Sequence, residues 1–132
     1  MGKSKIITSL VFKEANALEG AAKFKGAAEQ YALILKHNPL HVEAGNRLMM
    51  MYRKLKEYKK EAALINKLVA AHEKEIEGNQ REWIKNHGEL AELSRPLAES
   101  LGLLDSKGLP YYENELLKRW KKRKEVVSKK LK

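Results

Sequence analysis

Four histidines and one aspartate are the residues of this chain best suited to bind a metal or move a proton, and their placement argues against both. His37 and His41 stand four apart, the spacing that sets two imidazoles on one helical face, but Asn38-Pro39 lies between them. The residue before a proline is pushed out of helical geometry, so that spacing loses its usual meaning and both histidines are expected in a loop. His72 and His87 fall on apolar helix faces, where packing is the commoner role, and Asp105 is far in sequence from any histidine. With no cysteine there is no thiolate ligand, no thiol nucleophile and no disulfide. Gly20, Gly26 and Gly45 are isolated, so no glycine-rich loop is available to cradle phosphate. The expectation is a chain without catalysis, metal or cofactor.

Charge is the other chemistry on offer. The net charge is +10, and residues 111–132 hold nine Lys or Arg against three Glu, so most of the excess lies at the C-terminal end. Lys118, Arg119, Lys121, Lys122, Arg123 and Lys124 could displace counterions from phosphates, with Trp120 among them to stack on a base. Trp120 also falls on an apolar stripe with Leu116 and Val127, which makes packing the competing reading. An acidic protein surface or an anionic membrane would draw on the same charges. Little bulky apolar side chain accompanies them, which ranks the membrane last. No stretch approaches the length of a membrane span. The absence of cysteine suits the cytoplasm. The basic start with its brief apolar run is cut off by Lys13 and Glu14, which gives neither a signal peptide nor, with Ile6 where Ser or Thr is needed, a myristoylation signal.

The elements that would position these residues all read as helices, because apolar residues recur at three- and four-residue steps and nowhere alternate. A first helix is expected over residues 8–19, with Leu10, Val11, Ala15 and Leu18 inward and Gly20 releasing it. A second spans 24–37, burying Phe24, Ala27, Ala28, Tyr31, Ile34 and Leu35 until Asn38-Pro39 ends it. A third spans 42–55, burying Leu48, Met51, Tyr52 and Leu55. The fourth begins at Tyr58 with the stripe Tyr58, Ala62, Ile65, Val69, His72 and Ile76, and is expected to stop at Gly78. Asn79 with Glu82 resembles a capping box for a fifth helix with Trp83, His87, Leu90 and Ala91 inside. Ser94-Arg95-Pro96 opens a sixth over Leu97, Leu101 and Leu104; residues 105–110 form a loop. A last amphipathic helix then carries Tyr112, Leu116, Trp120, Val127 and Leu131, with its final turns frayed.

Shifted against itself by 34 residues, the chain pairs Leu18 with Tyr52, Phe24 with Tyr58, Ala28 with Ala62, Tyr31 with Ile65, Ile34 with Leu68 and Leu35 with Val69. That period belongs to a helix–turn–helix unit that buries its apolar face only by stacking on a neighbour. With Phe24-Lys-Gly-Ala27, Tyr31 and Asn38-Pro39 in one unit and Leu48, Tyr52 and Tyr58 in the next, the sequence resembles the tetratricopeptide repeat family over about half its length. It departs from the family pattern at Glu14, Met49, Glu61 and Glu73.

The resemblance implies an all-α right-handed solenoid of stacked antiparallel helical hairpins with a C-terminal helical cap. The single domain would comprise repeats at 8–41 and 42–78, a degenerate hairpin at 79–104, a loop at 105–110 and a basic helix at 111–132. It also implies a concave groove lined by the first helix of each pair. Groove positions fall on Ser9, Phe12, Asn16 and Glu19 and on Glu43, Asn46, Met50 and Arg53. Phe12 and Met50 would anchor an apolar side chain of a peptide or helix, and Asn16, Asn46 and Arg53 would bond its backbone. The carboxylate clamp of some family members is not expected, since Phe12 takes the lysine position and Arg47 that of the second asparagine. The expected function is therefore a non-catalytic protein-interaction module or scaffold. The rival is a nucleic-acid-binding accessory protein acting through residues 118–132, and an open end of the stack could also accept a second copy of the chain.

Overall fold

The computed structural model describes residues 2–88, 96 and 115–131, and among them every regular element is a helix. In chain order these are α1 (Gly2–Gly20), α2 (Phe24–His37), α3 (Val42–Lys54), α4 (Tyr58–Asn86) and α5 (Glu115–Lys130). The fold is all-α, as the periodicity predicts. Expected bounds and observed ones agree for α2 and differ by a residue at the end of α3. α1 begins earlier than residue 8, because nothing between Gly2 and Thr8 interrupts it.

The expected break at Gly78 is absent. α4 runs for 29 residues, with Asn79 and Glu82 in its interior rather than at a capping box. A glycine inside a helix costs only about 1 kcal/mol relative to alanine. Here Arg81 bridges back to Glu77 at 3.0 Å, one turn spanning the glycine. Trp83 is not on an inner face: it is 46% exposed and stacks on His87 with ring centroids 4.7 Å apart. Leu90, Ala91, most of the expected sixth helix, the loop at 105–110 and Tyr112 lie outside the described residues.

The turns after α1 and after α3 are copies of one another. After α1, the amides of Ala22 and Lys23 donate to the carbonyls of Glu19 and Leu18; after α3, those of Lys56 and Glu57 donate to Arg53 and Tyr52, each group 34 residues on. Both turns place a non-glycine residue in the left-handed region, Ala22 at φ 61° and Lys56 at φ 56°. This paired bonding closes a helix C-terminus by satisfying its last carbonyls, and glycine usually fills the left-handed position. Gly20, expected to release α1, instead lies within it. Because a side chain in that region costs about 1 kcal/mol or more, Ala22→Gly and Lys56→Gly should each raise the urea unfolding midpoint, by roughly 0.5–1 kcal/mol after allowing for glycine's looser unfolded state. An unchanged or lowered midpoint in both would contradict that assignment.

α3 opens where Pro39 predicts a break. Asn38 Oδ1 accepts from Leu40 N–H at 3.2 Å, and His41 Nδ1 caps α3 by accepting from Ala44 N–H at 3.0 Å. Among the described residues the main helix contacts run α1 on α2, α2 on α3, α3 on α4 and α4 on α5, a serial order in which each helix packs on the next. Tyr31, Met51, Ile65 and Val127 are fully buried along this series. Close approach of α3 and α4 occurs at Gly45, where an added Cβ would sit 3.1 Å from a Leu68 methyl. Met49, one turn later, is buried as core. α5 continues as helix to Lys130, with Trp120 3% exposed and Val127 fully buried, whereas Leu131, expected on the inner stripe, is 44% exposed.

Candidate functional site: the face of α1, α3 and α5

α1 and α3 are bridged by Arg47 Nη1 to Glu19 Oε2 at 3.2 Å. α5 packs on α4 and reaches α3. Trp120 Nε1 donates to Asn46 Oδ1 at 2.8 Å, and Arg123 forks onto Glu61 with Nε to Oε2 at 2.9 Å and Nη2 to Oε1 at 3.0 Å. Arg53 of α3 reaches the same Oε2 from its Nη2 at 3.1 Å. Glu61 is wholly buried, so one carboxylate from α4 binds α3 and α5 together through two guanidiniums. Its carboxylate, acting mainly through the hydrogen bonds, holds the Arg123 guanidinium above its ordinary pKa.

Glu61 stands 34 residues after Ala27, which is also fully buried. α5 brings Arg123 to this point, which supplies the partner that a buried charge requires. One contact between α5 and α4 matches one between α3 and α2. Lys54 Nζ sits 5.0 Å from the Phe24 ring centre, and Lys130 Nζ sits 5.2 Å from that of Tyr58, the residue 34 positions after Phe24.

The expected groove residues divide between two roles. Phe12 is half-buried, edge-on to Tyr31 at 5.7 Å and tilted against His41 at 5.6 Å, so it ties α1 to α2 and to the start of α3. Asn46 and Arg53 are engaged by Trp120 and Glu61. Asn16 Oδ1 faces the Tyr31 hydroxyl at 2.5 Å, with Glu19 Oε1 2.9 Å from the same oxygen. Burial, reinforced by Glu19, pushes the Tyr31 phenol up to about 12, so it remains a donor. Ser9, Asn16, Glu43 and Met50 stay exposed, and Arg53 Nη1 approaches Met50 Sδ at 3.4 Å.

The basic patch is a packed helix rather than a tail. Arg123 turns inward to Glu61, Lys121 pairs with Glu73 at 2.7 Å, and Trp120 is buried against His72, ring centres 5.1 Å apart. With Trp120 covered and its N–H engaged, it does not offer a base a stacking surface. Lys118, Arg119, Lys122 and Lys124 are exposed to solvent.

Glu61, Arg123 and His41 carry structural roles that were not assigned from the sequence; an acidic residue on an alanine position was the visible signal for the first.

His72 Nε2 is buried without a hydrogen-bond partner, and burial lowers the ring's pKa although Glu75 opposes this. The unfolded chain therefore binds the proton more readily. The resulting contribution to stability is complete above the unfolded value of about 6.5 and is lost as pH falls through the lower folded value. The melting temperature should fall as pH drops below about 6.5, and less steeply in His72→Phe, which keeps an aromatic ring without the titration. Equal slopes for both proteins would refute the assignment.

Among the described residues no three His, Asp or Glu lie together as a metal site, and no helix is long and apolar enough to cross a membrane. Compared with known proteins, the chain matches no family model, no curated protein and no solved structure at a significant level.

Proposed function

We propose that the chain is a non-catalytic, tetratricopeptide-like interaction module that holds a segment of another protein against the face of α1 and α3. The observation that carries this reading is the turn geometry repeated at 34 residues, with left-handed Ala22 and Lys56 in matching places. Two hairpins built alike stack with their first helices adjacent, which leaves a trough between them. Ser9, Asn16, Glu43 and Met50 supply that trough with polar groups and one flexible apolar anchor. The reading also accounts for α5 as the helix that covers the open end of the second hairpin.

Affinity capture from the native host with three proteins tests it: wild type, Met50→Glu, and a variant with Arg119, Lys122, Lys124 and Lys129 changed to Gln. A protein partner lost with Met50→Glu and retained at moderate salt supports the groove. Recovery of nucleic acid that depends on the four cations and falls steeply with salt would replace this reading with nucleic-acid binding.

A further inference from the structure

We infer that α5 is the third wall of this groove and that its cations select an acidic protein segment carrying an apolar side chain. The inference rests on the proposed groove and adds the chemistry of its occupant.

The first step is positional. Lys54 over Phe24 and Lys130 over Tyr58 are the same contact made one hairpin apart, so α5 relates to α4 as α3 relates to α2. The register that brings Lys54 onto Lys130 also brings Met51 onto Val127 and Ala44 onto Trp120, all buried. In that register Glu43 of α3 corresponds to Arg119 of α5, Asn46 to Lys122, Met50 to Val126 and Arg53 to Lys129. Arg119, Lys122, Val126 and Lys129 are all exposed. Arg123 meets Glu61 of α4 at the carboxylate that Arg53 of α3 also holds, and so marks the flank of α5 nearer α3.

The second step is chemical. Met50 is 36% exposed and Val126 42% exposed at matching positions on adjacent helices, which makes an apolar strip across the trough. Arg119 and Lys122 border that strip on the α5 side. A partner side chain of leucine or methionine size fits the strip, and carboxylates beside it would meet the cations at a partly desolvated rim, where charge complementarity sets both encounter rate and register. Two features favour a protein over a nucleic acid. Trp120 is unavailable for stacking, and Glu43 puts a negative charge on the same face, where a continuous phosphate backbone would be repelled but a peptide with spaced carboxylates need not be.

The test is a fluorescence-anisotropy titration of the full chain with three labelled probes. One is a peptide of alternating Glu and Leu. The second is the same peptide with Gln for Glu, and the third is a single-stranded oligothymidine of similar length. The acidic peptide should bind at least tenfold more tightly than the Gln peptide, and Arg119→Glu with Lys122→Glu should remove that preference. Glu43→Lys should strengthen acidic-peptide binding, a gain that damage to the fold would not produce. Equal binding of both peptides, lost with Met50→Glu, would overturn the role of α5 and leave the groove standing. Binding of either peptide that ignores Met50→Glu would overturn the groove itself. An oligothymidine that outcompetes the acidic peptide would overturn the inference in favour of nucleic acid.

Discussion

Trp120→Ala should lower the free energy of unfolding by about 3–5 kcal/mol, the range found when a large aromatic is removed from a packed core. Trp120 is 3% exposed, its ring meets His72 across the α4–α5 contact, and its N–H is bound by Asn46 of α3. Removal therefore empties the joint at which three helices meet. Urea titration followed by far-ultraviolet circular dichroism measures the loss without relying on the deleted fluorophore. Trp120→Phe keeps most of the ring and forfeits the hydrogen bond. Since Asn46 is exposed and can turn to water, that variant should lose only about 1–2 kcal/mol, combining one net hydrogen bond with a small loss of packing. A loss below about 1 kcal/mol for Trp120→Ala would show that α5 contributes little to the stack.

Glu61→Ala should cost about 3 kcal/mol, at the lower end for breaking a buried ion pair, because Arg53 can turn toward solvent once its partner is gone. The side chain of Arg53 is 35% exposed and that of Arg123 is 19% exposed, whereas Glu61 has no exposure at all. Arg123→Ala should then cost at least as much, since it leaves the fully buried carboxylate with one guanidinium. The two losses should not add: a double-mutant cycle should return a coupling of about 1–3 kcal/mol. Replacing all three residues by apolar ones of similar volume, as in Glu61→Leu with Arg53→Met and Arg123→Met, should recover most of the stability, because the desolvation cost disappears with the charges. Additive single losses would mean that the three residues do not act as one unit.

The helical class and the starts of α2, α3 and α4 were legible because they rest on local signals. Pro39 stops α2, and the stripes of α2 and α4 show which faces turn inward. The misread boundary at Gly78 has a local cause as well, since a single glycine lowers helix propensity without compelling a break, and the length of α4 exceeds what turn residues alone would indicate. The turn residues also misled at Gly20, where the left-handed position falls two residues later on Ala22.

The candidate site was legible only in outline. The 34-residue offset locates one face of α1 and α3, but whether a side chain on that face is free depends on what packs beside it, and α5 returns from far along the chain. Asn46 and Arg53 look available in the sequence and are bound by Trp120 and Glu61 in the fold. Arg123 reads as one charge in a basic run, and only the arrival of α5 at Glu61 separates it from its exposed neighbours. Phe12 reads as a solvent-facing anchor because its partners, Tyr31 and His41, are distant in sequence.

The most direct test places a photo-crosslinking amino acid singly at Glu43, on the face of α1 and α3, and at Lys67, on the outer side of α4, in the protein expressed in its native host. A covalent adduct with another protein that forms from position 43 and not from 67 is the predicted result. Adducts from position 67 alone would place the partner on the opposite surface and contradict the account.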